Sequence, residues 1–196
     1  MAPRHLLITG IPGVGKTTVM SKVHQNLLNQ GISCSGFVTE EIRVNGRRTG
    51  FDVVTLAGQR GQLARISDST CSMPAAKQRD IKVGQYSVNL ISFEQTALIT
   101  LKPPPQASET SPIVYLVDEI GKMELYSQSF IQAVQKLISH PNVTLVATIP
   151  VPKGRPIPFV EELRRGEHSL VFEVDHQNRD VIHTDIVQAV KSSLSS

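Results

Sequence analysis

Nine residues near the start of the chain carry the strongest signal in its sequence: Gly10-Ile11-Pro12-Gly13-Val14-Gly15-Lys16-Thr17-Thr18. A glycine, any four residues and then Gly-Lys-Thr is the pattern of a phosphate-binding loop, whose glycines let backbone amides point inward at an anion. The helix that begins after such a loop adds its partial positive charge. We expect all nine residues to contact a nucleotide, with Lys16 at the β- and γ-phosphates, Thr17 on a Mg2+ ion and Thr18 at the α-phosphate.

The residues around this loop have the pattern that it requires. Leu6-Leu7-Ile8 is a short apolar run, typical of a parallel strand covered on both faces. After Lys16 the apolar residues recur at helical spacing, and Gly31 supplies a stop. A glycine-rich turn that contained Lys-Thr by chance would lack this order of strand, loop and helix.

A second candidate site follows the apolar strand Ile113–Val117, which ends in Asp118 and Glu119. In phosphate-loop NTPases the Asp at this strand end holds Mg2+. We therefore predict Thr17 and Asp118 as the metal ligands. A Glu directly after it can orient an attacking water, so Glu119 is the candidate catalytic carboxylate beside Lys16. The alternative is an ordinary junction of strand and loop, where acidic residues are common.

Several polar residues after these strands are weaker candidates, and each has a structural alternative. Lys122 either approaches the phosphates or is solvated. Thr148, near the end of the strand Val143–Ile149, either senses the γ-phosphate or has a structural role. An arginine after that strand would stabilise charge in the transition state. The arginines in question are Arg155, Arg164 and Arg165.

Two further groups remain open in the same way. Thr39, Glu40 and Glu41 either lie near the phosphate loop, where a carboxylate would join Glu119, or form a solvated face. Asn178 and Arg179 follow a strand and either cap a helix or contact the base, on which an Arg can stack. We include both residues among the candidate nucleotide-binding positions.

The middle of the chain has a different pattern. Asn45-Gly46 between two β-rich runs predicts a hairpin with arms Gly36–Val44 and Arg47–Thr55, because both turn residues need positive φ. Ala57–Val83 shows no clear periodicity and is predicted to be a long loop. A strand at Tyr86–Leu90 and a helix over Ser92–Leu101 follow. Ser92 and Gln95 resemble a capping box for that helix.

The last third alternates strands with helices after a proline-rich surface connection, Lys102–Pro112. This alternation implies a parallel sheet with right-handed crossovers. The predicted elements, besides the two strands already named, are helices over Phe130–Ile138, Phe159–Arg165 and Val181–Leu194 and a strand over Ser169–Val174. We expect a single domain over residues 1–196.

Composition limits the functions to consider. The chain has 196 residues, is 40% hydrophobic and has a net charge of +3, with its basic residues scattered. That surplus is a weak argument for nucleic-acid binding, which needs a basic stripe. Two cysteines are too few for a disulfide scaffold. No apolar run reaches the roughly 20 residues that span a bilayer. We expect a cytosolic, or also nuclear, monomer.

With these residues named, the sequence resembles the small thermophilic-type nucleoside-triphosphatase family over nearly its whole length. The resemblance rests on the phosphate loop and on Gly36–Glu41, Gly50–Leu56, Val83–Tyr86, Asp118–Leu125, Thr148–Gly154 and Asn178-Arg179. The run Asp-Glu-Ile-Gly-Lys-Met-Glu is its most distinctive part. The resemblance implies a RecA-like core and Mg2+-dependent hydrolysis of nucleoside 5′-triphosphates to diphosphates, with broad base tolerance.

We therefore predict an α/β phosphate-loop NTPase with a mostly parallel sheet flanked by helices and an added antiparallel hairpin. Two other functions fit a phosphate loop: a small-molecule or nucleotide kinase, and a nucleotide-dependent binding module. Phosphate release without a second substrate would favour the hydrolase over the kinase. A guanine-selective switch is disfavoured, because the sequence has no Asn-Lys-x-Asp segment to read guanine.

Overall fold

The computed structural model describes residues 3–67, 81–104, 112–152 and 154–195. The strands in these residues are β1 (His5–Thr9), β2 (Cys34–Val44), β3 (Arg47–Thr55), β4 (Arg60–Ile66), β5 (Ile81–Val83), β6 (Tyr86–Val88), β7 (Ile113–Val117), β8 (Val143–Thr148) and β9 (Ser169–Glu173). The α-helices are α1 (Lys16–Asn29), α2 (Leu90–Ala97), α3 (Gln128–Ser139), α4 (Pro158–Arg165) and α5 (Ile182–Leu194). Short 3-10 turns cover Leu98–Thr100 and Glu124–Tyr126. No described helix is long and apolar enough to cross a membrane.

The strands form one mixed sheet in the order β5-β6-β4-β3-β2-β7-β8-β1-β9. Every neighbouring pair from β2 to β9 is parallel, and every pair from β2 to β5 is antiparallel. The predicted fold class is confirmed: a parallel sheet flanked by helices, extended by an antiparallel part. The extension is larger than a hairpin, because β4, β5 and β6 continue it.

The core lies on both faces of the sheet, since alternate residues of a buried strand point to opposite sides. On β1, Leu6 and Ile8 pack with α1 and α5, whereas Leu7 packs with α2, α3 and α4. The second face contains a cluster of three phenylalanines with ring centroids 5.3–6.1 Å apart. They are Phe37, Phe93 and Phe130. Strands β1, β7 and β8 are therefore buried on both faces, as their unbroken apolar runs predict, whereas the edge strand β9 is only partly buried.

The hairpin is confirmed in its turn and in both arms. Asn45 has φ 50° and Gly46 has φ 77°, so both turn residues adopt the positive φ that an Asn-Gly hairpin requires. At the start of its first arm, Gly36 has φ 125°, and a Cβ there would lie 1.9 Å from the Leu116 carbonyl oxygen. Only glycine lets β2 approach β7 this closely. The hairpin is thereby joined to the parallel sheet.

The predicted loop over Ala57–Val83 is wrong for two segments, because β4 and β5 both lie within it. Strand β4 pairs with β3 and β6, and its register against β3 shifts so that Phe51 faces Ala64 while Asp52 faces Gln62. Leu63 is thus the extra residue of a β-bulge, and Leu63 and Ala64 are both buried. The bulge interrupts the alternation on which a strand prediction depends. Residues 68–80, including Cys71, lie outside the described residues.

The start of α2 also differs from the prediction. The helix begins at Leu90, and Asn89 caps it by accepting a hydrogen bond from the Ser92 backbone amide to its Oδ1 at 3.1 Å. Ser92 therefore lies in the first turn, and the predicted capping box at Ser92 and Gln95 is wrong. Asn is one of the preferred N-cap residues, because its side-chain oxygen accepts a hydrogen bond from a free backbone amide of the first turn. Asn89 caps the helix in this way three residues before the predicted cap at Ser92. Residues 105–111 of the predicted proline-rich connection lie outside the described residues.

His5 makes the stability of this fold sensitive to acid. It lies on β1 with 6% of its surface exposed, and burial, assisted by Arg4 and His168, lowers its pKa from 6.5 to about 4. Between those values the unfolded chain binds a proton that the folded chain does not, so stability falls as pH falls from about 6.5 to 4. One such group gives at most about 1.4 kcal/mol per pH unit. His5→Gln lacks this group, so it should lose less stability than wild type on acidification. We expect the unfolding free energy of the variant minus that of wild type to increase as pH is lowered from 6.5 to 4.

Urea denaturation at several pH values measures this difference. His176→Gln is the matched control, because His176 is exposed on the surface after β9. A His5→Gln curve parallel to wild type over pH 4–6.5 would show that His5 does not contribute to the acid sensitivity.

Candidate active site

The phosphate loop joins β1 to α1 at the carboxyl edge of the parallel strands. Gly13 and Gly15 have φ of 79° and 112°, conformations that side chains other than glycine rarely adopt. The Lys16 ammonium lies over the loop, where Nζ donates to the carbonyl oxygens of Gly10 at 3.0 Å and Ile11 at 3.5 Å. The loop and its lysine are therefore folded together at the start of α1, as the sequence predicts.

Asp118 lies at the end of β7 with 1% of its surface exposed. Thr148 Oγ1 donates to its Oδ1 at 2.5 Å, and Thr39 Oγ1 donates to its Oδ2 at 3.4 Å. Burial raises the pKa of Asp118, while hydrogen bonds from Thr148 and Thr17 and the charge of Lys16 oppose the rise. The structure thus brings Asp118 to Thr17 and the phosphate loop. It also places Thr39 and Thr148 as hydroxyl donors to the carboxylate.

This arrangement fits a hard divalent cation. Asp118 is a buried carboxylate that accepts hydrogen bonds from the Thr39 and Thr148 hydroxyls, and it has no arginine or lysine partner in a salt bridge among the described residues. The Thr17 hydroxyl provides a second oxygen on the loop side. Mg2+ takes oxygen ligands and is held in proteins by one or two carboxylates together with substrate phosphates and water. The residues present therefore suit Mg2+.

Glu119 follows Asp118 through a cis peptide bond and is half-buried in the wall of a cavity. Burial, and then the neighbouring charge of Asp118, raises the pKa of Glu119. A carboxylate in this environment is a stronger base than one in water, because its charged form is disfavoured. Its position beside Lys16 in the same cavity is the one that a catalytic carboxylate needs.

The sequence prediction missed a third carboxyl group, Glu124. It is 4% exposed, and the Gly121 backbone amide donates to its Oε2 at 3.2 Å. A Cβ on Gly121 would lie 2.5 Å from Glu119 Oε1 and 3.2 Å from Glu124 Oε2, so these oxygens are at most 5.7 Å apart, the sum of the two distances. Burial, then Glu119, raises the pKa of Glu124 to about 8. The sequence did offer one indication of Glu124, because it is an acidic residue within the distinctive run that begins at Asp118.

The active-site cavity has a volume of about 790 Å³ and is lined by residues from several parts of the chain. The phosphate loop and the acidic run after β7 form one end. The hairpin contributes Thr39, Glu40, Glu41 and Arg48, and the loop after β8 contributes Arg155. The predicted approach of the hairpin to the phosphate loop is therefore present in the structure.

The hairpin carboxylates are nevertheless paired with arginines. Arg60 donates to Glu40 through a short hydrogen bond. Glu41 accepts from Arg48 at 2.8 Å and also from Arg43. These ion pairs hold the strands of the antiparallel extension together. Both side chains are exposed, as the solvated-face alternative has it, and both also line the cavity.

The three candidate arginines are separated by the structure. Arg155 lines the cavity, as does Lys122, and neither forms a hydrogen bond or ion pair with another described residue. Arg164 lies on α4, where it donates to the Pro150 carbonyl oxygen and pairs with Glu161 at 3.6 Å. Arg165 is not among the described residues that line the cavity. Of the four candidate cations, Arg155 and Lys122 are thus the two that line the cavity.

Asn178 and Arg179 lie on the opposite side of the loop. Asn178 Oδ1 accepts from the Asp175 amide at 2.9 Å, and its Nδ2 donates to the Glu173 carbonyl oxygen at 2.8 Å. Asn178 therefore has the structural role of stabilising the turn after β9. A Cβ on Gly15 would lie 3.9 Å from Arg179 Cδ, so the exposed Arg179 side chain flanks the loop. Its position beside the loop leaves base contact as a prediction for Arg179.

A phosphate loop after the first strand, facing an acidic strand end two strands away in a parallel sheet, is the arrangement of a phosphate-loop nucleoside-triphosphatase. The model of a family described as NTPase matches residues 5–187. The chain is 48% identical to the cancer-related nucleoside-triphosphatase of Homo sapiens over 97% of this chain and 98% of that protein. It is 36% identical to the nucleoside-triphosphatase THEP1 of Aquifex aeolicus, covering 95% and 98%. The chain belongs to the NTPase family.

Solved structures agree with this assignment. The solution structure of a human cancer-related nucleoside triphosphatase aligns with a TM-score of 0.83 at 48% identity, covering 97% of this chain and 98% of that one. The crystal structure of THEP1 from the hyperthermophile Aquifex aeolicus aligns with a TM-score of 0.76 at 36% identity, covering 95% and 99%. The resemblance and the enzyme class predicted from the sequence are confirmed.

The raised pKa of Glu124 predicts a pH dependence of stability opposite to that of His5. The folded chain retains a proton on this carboxyl that the unfolded chain loses above about 4.5, so stability falls as pH rises from 4.5 through about 8. Glu124→Gln replaces the acid by a neutral amide that still accepts from Gly121. We expect its unfolding free energy, relative to wild type, to rise between pH 5 and 8, by at most about 1.4 kcal/mol per unit, and then level off.

Denaturation at fixed temperature across pH 5–9 measures the effect, with Glu162→Gln on the exposed face of α4 as the control. A pH-independent difference between Glu124→Gln and wild type would mean that Glu124 ionises normally in the folded protein.

Proposed function

We propose that this chain hydrolyses nucleoside 5′-triphosphates to the diphosphate and inorganic phosphate, with Mg2+ as cofactor and broad base specificity. One observation carries the proposal: Lys16 and Thr17 of the phosphate loop meet Asp118 and Glu119 in one place at the carboxyl edge of the parallel strands. Membership of the NTPase family supports hydrolysis as the reaction. The roles of the individual residues are part of the proposal.

Thr17 and Asp118 are the proposed ligands of Mg2+. When bound, the ion neutralises charge on the β- and γ-phosphate oxygens. The hydroxyls of Thr148 and Thr39 orient the Asp118 carboxylate by donating to both of its oxygens. Such outer contacts fix the direction of a metal ligand and favour its charged form. The proposed role of Thr148 is therefore to orient Asp118. This role replaces the alternative in which Thr148 contacts the γ-phosphate.

The chemical step is an in-line attack of water on the γ-phosphorus. A bond forms between the water oxygen and phosphorus, and the bond from phosphorus to the β,γ-bridging oxygen breaks. Glu119 orients the water and accepts its proton, which the raised pKa of this carboxyl favours. Lys16 and the loop amides stabilise the negative charge that develops on the phosphoryl oxygens.

The position of Arg179 supports broad base specificity. Its exposed guanidinium beside the loop can stack on the flat face of a base, and every base has such a face. Asn178, the neighbouring amide, is occupied by the turn after β9. Arg179 therefore provides affinity without reading the edge of the base.

The kinase alternative receives no support from the relatives described above, which are named as triphosphatases. The binding-module alternative also lacks a specific observation in its favour. A cytosolic, or cytosolic and nuclear, location and a monomeric state remain expectations, which cell fractionation and light scattering would check. Small diffusible nucleotides are the partners that this site requires.

Glu119→Gln tests the catalytic role directly. The amide retains the size and polarity of the side chain but does not accept a proton from water, so we expect kcat to fall by about 10²–10⁴-fold while nucleotide affinity changes little. Stopped assays of phosphate and pyrophosphate, together with binding of a non-hydrolysable triphosphate, measure both quantities. Near-normal turnover in Glu119→Gln would remove this residue from the mechanism.

Two further variants complete this experiment. Lys16→Ala should abolish hydrolysis and weaken binding of the triphosphate, because the cation on the β- and γ-phosphates is lost. Glu162→Gln, an exposed carboxylate on α4, should leave kcat and KM unchanged. Pyrophosphate as the product of the wild-type enzyme would contradict attack at the γ-phosphorus.

A further inference from the structure

The active-site cavity continues beyond the phosphate loop into an apolar end. We name this end the apolar chamber and define it by Phe51, Leu63, Val83, Met123, Ile157 and Val160. These side chains come from β3, β4, β5, the turn before Glu124, and the start of α4. Leu63 and Val160 are almost fully buried in its wall. The antiparallel extension and α4 thus enclose a pocket that a parallel sheet alone would not form.

A triphosphate on the loop does not account for this chamber. Phosphate oxygens need hydrogen-bond donors, and burying them against apolar side chains without such donors is unfavourable. The nucleoside is placed on the other side of the loop, because Arg179 flanks Gly15 and is absent from the described residues that line the cavity. The whole cavity, including its phosphate-loop end, has a volume of about 790 Å³, which lies within the range of roughly 300–1,000 Å³ that small-molecule pockets occupy.

The charges around the chamber indicate what it can bind. Among its carboxylates, Glu40 and Glu41 are paired with arginines and Glu161 is paired with Arg164. Glu119 is occupied by the attacking water in the proposed reaction, and Glu124 accepts a hydrogen bond from the Gly121 amide. In contrast, Lys122 and Arg155 have no ionic partner among the described residues. The available charge is therefore positive.

One wall of the chamber is also fixed in an orientation that suits an aromatic ring. The Arg48 guanidinium lies 5.1 Å from the centre of the Phe51 ring, and it donates to the Tyr86 hydroxyl at 3.0 Å and to Glu41 at 2.8 Å. Phe51 and Tyr86 have ring centres 5.3 Å apart in an edge-to-face arrangement. The Phe51 ring is thus held in place by contacts on both sides before any ligand binds, which reduces the entropy lost on binding.

A second cavity of about 460 Å³ adjoins the chamber. It shares Val83, Lys122 and Ile157 with the first cavity and extends to Tyr126, which is 50% exposed. The wall of the chamber at the exposed Lys122 therefore lies near the protein surface.

We propose that the apolar chamber is a binding site for a second ligand, a small aromatic anion that binds at the same time as the nucleotide. Its ring contacts Phe51, Met123 and Ile157, and its anionic group lies between Lys122 and Arg155. The ligand is bound without any covalent step. The proposal uses the proposed function only to place the triphosphate on the phosphate loop and the attacking water at Glu119.

The test uses 1-anilinonaphthalene-8-sulfonate, an aromatic anion whose fluorescence increases in apolar surroundings. It is titrated into the wild-type protein with and without saturating Mg2+ and ADP. We expect one molecule bound per chain, with an affinity that ADP changes by less than threefold. Displacement by ADP, or the absence of saturable binding, would overturn the proposal. Because the titration needs no hydrolysis, its outcome is independent of the Glu119→Gln experiment.

Variants locate the bound probe. Ile157→Trp fills the chamber and should weaken binding at least tenfold, whereas Val181→Trp, at a residue 62% exposed outside the cavity, should not. Met123→Trp provides the same test from another segment if Ile157→Trp does not fold, as judged by circular dichroism. Binding of normal affinity in a folded chamber-filling variant would show that the probe binds elsewhere.

The charge requirement has its own control. Arg155→Ala should weaken the sulfonate probe severalfold, and the exposed Arg47→Ala in the hairpin should have no effect. N-phenyl-1-naphthylamine, the same ring system without the sulfonate, should bind several times more weakly than the sulfonate and equally to wild type and Arg155→Ala. Equal affinity of wild type for both probes would show that the site does not select an anion.

Discussion

The buried carboxylate of Asp118 is the interaction on which the arrangement of the site depends. Thr39 reaches it from β2, Thr148 from β8 and Thr17 from the start of α1, while Asp118 itself ends β7. An ionised group buried to this degree is unfavourable unless hydrogen bonds satisfy its oxygens. The hydroxyls reduce that cost and also fix the relative positions of three strands and the phosphate loop. The proposed metal ligand is thus oriented by the same contacts that hold together the carboxyl edge of the sheet.

The antiparallel extension converts this edge into an enclosed site. Gly36 permits β2 to pack closely against β7, and the long arms of the hairpin then carry Glu40, Glu41 and Arg48 past the phosphate loop. Ion pairs across β2, β3 and β4 hold the extension, with Arg60 and Arg65 both contacting the buried Asp52. The charged groups of the hairpin therefore stabilise a wall, and the chemistry remains with the residues after β1 and β7.

The parts of the structure that could be predicted from sequence are those governed by local rules. The phosphate loop, the Asn-Gly turn and the apolar parallel strands each depend on a few adjacent residues, and the structure has all of them within two residues of the predicted bounds. Strand β4 could not be recognised, because the bulge at Leu63 hides its alternation and its pairing partners are distant in sequence. Asn89 was overlooked as a cap because Ser92 offered a second, weaker signal three residues later.

The same distinction applies to the site. Asp118 and Glu119 could be predicted because they directly follow a strand whose end must face the phosphate loop. Glu124 reaches the site through a turn. It packs against Gly121, where a Cβ would come too close to its carboxylate. A turn has no hydrophobic periodicity, so the sequence pattern did not indicate this burial. Glu41 forms an ion pair with Arg48 of β3, and Glu40 forms one with Arg60 of β4. Strand β4 was not predicted from the sequence. A correct assignment of Glu40 and Glu41 therefore required the antiparallel register, because that register brings Arg48 and Arg60 to them.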